Sequence, residues 1–216
     1  MTFQQISPDA IQALRSLGVA TVYEAQGAKG ALDSGMKPIH PGMKVAGPAF
    51  TVDMRPADNL MIHYAMLKAK PGDVLVIDAK GFMEAGPWGD VLTQQALHMG
   101  LAGLVINGCV RDASAIIEMG FPVFCRGLSI KSTGKNQPGK TNVPVCIGDV
   151  QINPGDIIVG DQDGLVVVPN AEVEGAIKKA RAREDKEALF REQIKKGATT
   201  AELLGLTETL LRFDLV

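Results

Sequence analysis

Apolar residues recur at helical spacing near the start of the chain. Ile11, Leu14 and Leu17 share one face, Ser7 can cap that helix, Pro8 suits its first turn, and Gly18 ends it. Residues 20–26 predict a second short helix stopped by Gly27, and residues 27–42, rich in Gly, Pro and Lys, a loop. The pattern then changes. Lys44–Arg55 predicts a strand with a Gly-Pro irregularity, and Asp58 can cap a helix over 59–69. Pro71-Gly72-Asp73 turns the chain into an uninterrupted apolar strand at 74–78. A helix is predicted over 90–99, a strand over 103–107, a helix over 113–119 that Asp112 can cap and Gly120 ends, and a strand over 122–125. Strands that alternate with helices predict an α/β sheet with helices packed on it.

The second half is richer in strands. A polar loop at 131–142 precedes short strands at 143–147, 157–160 and 165–168. The Pro-Gly-Asp turn ahead of a Val/Ile run occurs at 71–73 and again at 154–156, without longer self-similarity. From Ala171 to about Lys196 the chain predicts one long helix with eight Lys/Arg and six Asp/Glu. Val173, Ile177, Ala180, Glu184, Glu187 and Ile194 share one side of it, so two carboxylates interrupt an apolar stripe. Either the helix extends past the body and both are solvated, or this end reaches another subunit and delivers a carboxylate there.

The 216 residues carry 22 Lys+Arg against 24 Asp+Glu and only 5% aromatics. That balance argues against nucleic-acid partners, which need a basic face or a stacking platform. Cys109, Cys125 and Cys146 are widely spaced and form no Cys/His cluster, which suggests neither structural zinc nor a disulfide framework. No secretory signal is visible at the N-terminus and no apolar run approaches a membrane span, so a cytoplasmic location is expected.

His40, His63 and His98 are isolated, and no nucleophile elbow, phosphate loop or dinucleotide fingerprint occurs. Two predicted strand-to-helix junctions remain, Pro87-Trp88-Gly89-Asp90 and Asn107 to Asp112, at a sheet edge where ligands usually bind. Asp90 and Asp112 can present carboxylates to a hard cation such as Mg²⁺, which keeps several of its waters. Arg111 offers a fixed fork to a carboxylate or enolate, and the N–H groups of Val91 and Leu92 can hold an anion. These are the parts for binding a small 2-oxo acid on a metal; the competing reading makes both aspartates plain helix caps.

Asp90, twenty residues, then Arg111-Asp112 resembles the D-x20-R-D signature of the RraA-like family. Tyr23-Glu24-Ala25-Gln26-Gly27, Val45–Ala49, Asp58-Asn59-Leu60, Pro71–Leu75, Gly120–Phe124, Asn153–Asp156 and Asp161–Pro169 extend the resemblance over roughly residues 7–170. The branch it is most similar to is the 4-hydroxy-4-methyl-2-oxoglutarate/4-carboxy-4-hydroxy-2-oxoadipate aldolases, class II pyruvate aldolases of aromatic catabolism, which share a long charged C-terminal helix. The resemblance implies a compact αββα sandwich related to swivelling β/β/α domains over 1–170, with residues 171–216 a helical extension packing on a neighbouring subunit. It implies trimers or hexamers with sites between subunits. Asp112 then resembles the direct metal ligand, with Mg²⁺ expected and Mn²⁺ or Co²⁺ also suited. Asp90 resembles the carboxylate that holds metal-bound water, and Arg111 the residue that stabilises the enolate. Gly89, Asp90, Val91 and Leu92 lie where the substrate carboxylate binds, and Glu184 or Glu187 is the glutamate lent to a neighbour's site. Oxaloacetate decarboxylation is the implied side activity.

The same signature occurs among RraA-like regulators that inhibit ribonuclease E by protein contacts, so a binding protein is the alternative. A Schiff-base aldolase using Lys80 or Lys131 would need a depressed amine pKa in a buried pocket. No glycine-rich methyl-donor loop supports the methyltransferase label given to related sequences.

Overall fold

A computed structural model describes residues 5–215; the part of the N-terminal reading that covers residues 1–4, and residue 216 of the extension, lie outside them. Two helices come first, α1 (Pro8–Ser16) and α2 (Val19–Ala25), then β1 (Lys37–Pro38), β2 (Val45–Asp53), α3 (Leu60–Ala65) and β3 (Val74–Phe82). Next come α4 (Asp90–His98), β4 (Gly103–Val110), α5 (Ala113–Met119) and β5 (Val123–Leu128). The later strands are β6 (Lys140–Thr141), β7 (Val145–Ile147), β8 (Val150–Ile152), β9 (Ile157–Asp161) and β10 (Gly164–Val168). The chain finishes with α6 (Val173–Lys195), α7 (Thr200–Leu203) and α8 (Thr207–Arg212). Ser7 caps α1 as expected, its hydroxyl accepting from the Ala10 N–H. Strands β1, β6 and β8 fall in stretches without alternation, because two or three residues are too few to show a period.

The eight-stranded sheet runs β1-β5-β4-β3-β2-β9-β10, with β6 also paired to β2. Strands β2 to β5 are parallel and linked by α3, α4 and α5, whereas β9 and β10 are antiparallel. Ala31 bridges to Val166 of β10, and β1 pairs with β5, so residues 31–38 nearly close the sheet into a barrel. Three apolar clusters define an αββα layering. Leu75, Ile77, Leu104 and Ile106 face outward onto α3, α4 and α5. Val74, Val76, Val105 and Phe124 face inward against Ile158 and Leu165, under a lid of β7 and β8. Val159, Val166 and Val168 face outward onto α1, α2 and α6. Burial on both faces explains why β3 reads as a continuous apolar run.

Only the start of α6 belongs to this body: Val173, Ala176, Ile177 and Ala180 are buried with α1 and α2, and no described residue beyond Ala180 is buried. Leu189, Leu204, Leu211, Phe213 and Leu215 are exposed. No helix among the described residues is long and apolar enough to cross a membrane.

Candidate active site

The turn ahead of α4 meets the end of β4 at the carboxyl ends of the parallel strands. It is pinned on several sides. Arg111 N–H donates to the Trp88 carbonyl and Asn59 Nδ2 to the Pro87 carbonyl, both at 2.9 Å. Gly86 N–H donates to Lys131 O, also at 2.9 Å. Trp88 is fully buried, stacks on Phe121 and donates its indole N–H to Thr93 Oγ1 at 2.7 Å; that hydroxyl donates to Gly89 O at 3.0 Å. Asn59 and Trp88 stood in the sequence reading without these roles, and Thr93 escaped it, because their bonds link residues that carry no joint pattern. Asn59 Oδ1 is buried beside the turn with no partner among the described residues.

Against this turn stand the residues of the D-x20-R-D signature. Asp112 adopts φ 58°, ψ 35°, a left-handed conformation that aspartate tolerates better than most residues. Its side chain makes no cap bond to α5. Instead Oδ2 accepts from the Asp90 N–H at 3.3 Å and lies 3.4 Å from Arg111 Nε. A Cβ at residue 89 would stand 2.3 Å from Asp112 Oδ2 and 3.2 Å from Arg111 Nε, so only glycine permits this approach. Asp90 Oδ1 accepts from the Val91 N–H at 2.7 Å. The fold therefore collects Gly89, Asp90, Val91, Leu92, Arg111 and Asp112 in one place, and the plain-cap reading fails for Asp112.

The single chain does not add the predicted glutamate. Among the described residues neither Glu184 nor Glu187 pairs with Arg111. Glu187 sits between Arg183 Nε at 2.9 Å and Arg191 at 3.7 Å on its own helix, and Glu184 is exposed. The site itself lies on an open surface. Cavities of about 440 and 1000 Å³ lie elsewhere, the first beside Gln26 and Lys29, the second beside Ile11 and Phe50. Exposed apolar side chains flank it: Val91 at 78% exposure and Ile130 at 93%, with Met83 and Leu128.

No group of three or more His, Cys, Asp or Glu gathers among the described residues. The donors at the site are oxygens, with the partly exposed Asp112 carboxylate free of its own helix. That donor set fits a hard cation that fills the rest of its shell with water and substrate, and does not fit zinc. Lys80 Nζ lies 2.5 Å from both Asp53 and Asp78. Burial pulls its pKa down, but the two carboxylates outweigh this and raise it, the opposite of what a Schiff-base lysine needs. Lys131 is exposed and paired with Glu84.

A model of the RraA-like family, described as Aldolase/RraA, matches residues 19–167. A Halalkalibacterium halodurans protein, provisionally named a 4-hydroxy-4-methyl-2-oxoglutarate aldolase, is 40% identical over 180 residues, covering 83% of this chain and 86% of that protein. An uncharacterized Pseudomonas syringae protein of known structure superposes with TM-score 0.85 at 31% identity, over 94% of this chain and 96% of that one. Streptomyces coelicolor RraAS2, described as an unusual member of the RNase ES inhibitor RraA family, gives TM-score 0.76 at 30% identity over 88% and 99%. With the fold and the signature residues in agreement, the chain belongs to the RraA-like family.

Proposed function

We propose that the chain is a divalent-metal-dependent pyruvate aldolase. It would cleave 4-hydroxy-4-methyl-2-oxoglutarate, 4-carboxy-4-hydroxy-2-oxoadipate or both to pyruvate plus pyruvate or oxaloacetate, with oxaloacetate decarboxylation as a side activity. The observation that carries this reading is the Asp112 carboxylate, unused by its own helix, held against Gly89 and beside Arg111. The aldolase named among its relatives supports it.

Asp112 would hold the cation, with Asp90 close enough to hold water in its shell. A bound divalent cation supplies Lewis-acid polarisation of the substrate's 2-oxo group. The Leu92 N–H at the start of α4 would receive the substrate carboxylate, joined by the Val91 N–H once the Asp90 carboxylate, which now accepts from it, turns to the water. Arg111 donates to the 2-oxo oxygen. A water oriented by Asp90 takes the proton from the C4 hydroxyl, the C3–C4 bond breaks, and its electron pair becomes the pyruvate enolate. Arg111 is placed before the charge develops, so it stabilises the enolate more than the keto form. Protonation at C3 by water or by a glutamate completes pyruvate. In this reading Glu184 or Glu187 comes from a second copy, in a trimer or hexamer, and the exposed apolar rim of Val91, Leu128 and Ile130 supports such closure.

Pyruvate release from either substrate, measured with Mg²⁺ and with EDTA, tests the proposal. Saturable, EDTA-sensitive release is expected; no turnover on any 2-oxo acid overturns it. The likeness to the Streptomyces RNase ES inhibitor family member favours a second reading, a regulator acting through protein contacts. Inhibition of a ribonuclease by a turnover-dead variant would favour that reading.

A further inference from the structure

Four neighbouring parallel strands each bring one polar side chain into a row at the carboxyl end of the sheet: Asp53, Asp78, Asn107 and Arg126. Asp53 and Asp78 are register partners. Asn107 Nδ2 donates to Asp78 Oδ1 at 2.9 Å, and its Oδ1 accepts from Arg126 Nε at 2.5 Å. Lys80 joins Asp78 to Asp53, and Arg126 reaches Asp33 at 3.3 Å. Asn107 is only 6% exposed and stands at the middle of this chain of contacts. One neighbour only accepts and the other only donates, and the carboxamide satisfies both at once, in one orientation.

The backbone ladder breaks at the same level. Between β3 and β4 the pairing passes from Ile77↔Ile106 to Phe82↔Gly108, so residues 78–81 face Asn107 alone. Between β4 and β5 it passes from Ile106↔Cys125 to Cys109↔Gly127, so Asn107 and Gly108 face Arg126. Bulges of this kind bend a strand and re-aim its later side chains. Past the breaks, β3 feeds the 83–89 turn and β4 feeds Arg111 and Asp112. At the level where the ladder is lost the Asp78–Asn107–Arg126 clamp links the strands, and beyond it the Phe82↔Gly108 pairing and the bond from Arg111 N–H to the Trp88 carbonyl link them again.

We infer that Asn107 is a positioning residue, whose carboxamide fixes the end of β4 so that Arg111 and Asp112 meet the Gly89 turn in register. Its effect on turnover rests on the aldolase reading; its effect on the turn does not. Trp88, the chain's single tryptophan, lies in that turn and reports on it.

The test compares wild type, Asn107→Ala, Asn107→Asp and the exchanged pair Asn107→Asp/Asp78→Asn, each at a temperature where circular dichroism shows it folded. Acrylamide quenching of Trp88 should rise about twofold or more in both single variants. The kcat for pyruvate release should fall about tenfold or more with KM nearly unchanged, because misplaced reacting groups cost rate before binding. The exchanged pair restores a donor facing an acceptor at 107 but sets an amide N–H₂ against the Lys80 N–H that Asp78 Oδ1 now accepts at 2.9 Å, so it should recover part of both losses. Unchanged quenching and kcat in folded single variants, or no recovery in the exchanged pair, overturn the inference. Should Asn107→Ala not fold, Arg126→Lys, which removes the Nε donor, should give the same two changes, and normal quenching there overturns the inference as well. Wild type without turnover but with the quenching pattern intact refutes the aldolase reading and leaves the clamp standing.

Discussion

Two aspartates stand just ahead of helices and have opposite fates. Asp58, ahead of α3, is 1% exposed, and its carboxylate accepts from the backbone N–H groups of Leu60, Asn136 and Gln137. It stitches the 131–142 loop to the body. Asp112, ahead of α5, is partly exposed; its carboxylate makes no bond to its own helix and accepts one long backbone bond from Asp90. The sequence offers the same residue type at the same kind of junction. The difference lies in the surroundings: a loop that folds back over Asp58, and a glycine turn that leaves Asp112 an open oxygen. A carboxylate satisfied by backbone donors holds structure, and one without them is available for a cation.

The comparison breaks most visibly under alanine. Asp112→Ala should cost about a thousandfold or more in pyruvate release, the scale of losing a catalytic metal. Alanine tolerates the left-handed backbone at 112 less well than aspartate, so urea stability should also fall, by about 1 kcal/mol. Asp58→Ala should do the reverse, costing about 2 kcal/mol in urea unfolding because three part-buried N–H groups lose their shared acceptor. A large stability loss in Asp112→Ala would erase the distinction. Arg111→Lys should lower kcat/KM by more than about tenfold, roughly 1.4 kcal/mol, because a point charge does not replace a planar fork; a smaller loss counts against the enolate role. Glu184→Gln and Glu187→Gln, assayed side by side, should differ, and the impaired one identifies the glutamate lent to the neighbouring copy. If neither lowers activity, no such glutamate operates.

Acid sharpens the contrast further. Burial pushes the Asp58 carboxyl up, but the N–H groups of Asn136, Leu60 and Gln137 outweigh it and hold its pKa below the ordinary range. Its contribution to stability is therefore complete above about pH 4, the unfolded value, and is lost as pH falls through the lower folded value. The stability gap between wild type and Asp58→Asn should narrow over that acid window; a gap that widens there contradicts the assignment. The smallest effect concerns thiols. Cys146 is exposed, whereas burial pushes Cys125 up to about 11, so a disulfide-exchange reagent at neutral pH should modify Cys146 first.

Local chemistry made much of the fold legible. Both Pro-Gly-Asp turns are built alike, Asp73 accepting from Lys70 N–H and Asp156 from Asn153 N–H, each at 2.8 Å, with Gly72 and Gly155 at positive φ. Closure of the sheet was not legible, since Ala31 and the two-residue β1 carry no periodicity. At the site, Asp90, Arg111 and Asp112 were legible as a charged trio at two junctions, and with them the surrounding amides. Their support was hidden: Asn59 reaches Pro87 across 28 positions, and Asn107 reaches Asp78 across 29. Whether an aspartate caps its helix depends on the loop that returns to it, and short-range pattern does not contain that loop.

Of the two carboxylates, Asp112 is the one proposed to hold a divalent cation, and Asp58 is not. Equilibrium binding of Mn²⁺, counted by electron paramagnetic resonance on the intact protein, reads this without any substrate. One ion per chain is expected in wild type and in Asp58→Asn, and none in Asp112→Ala at the same Mn²⁺ concentration. Undiminished binding in Asp112→Ala would contradict it.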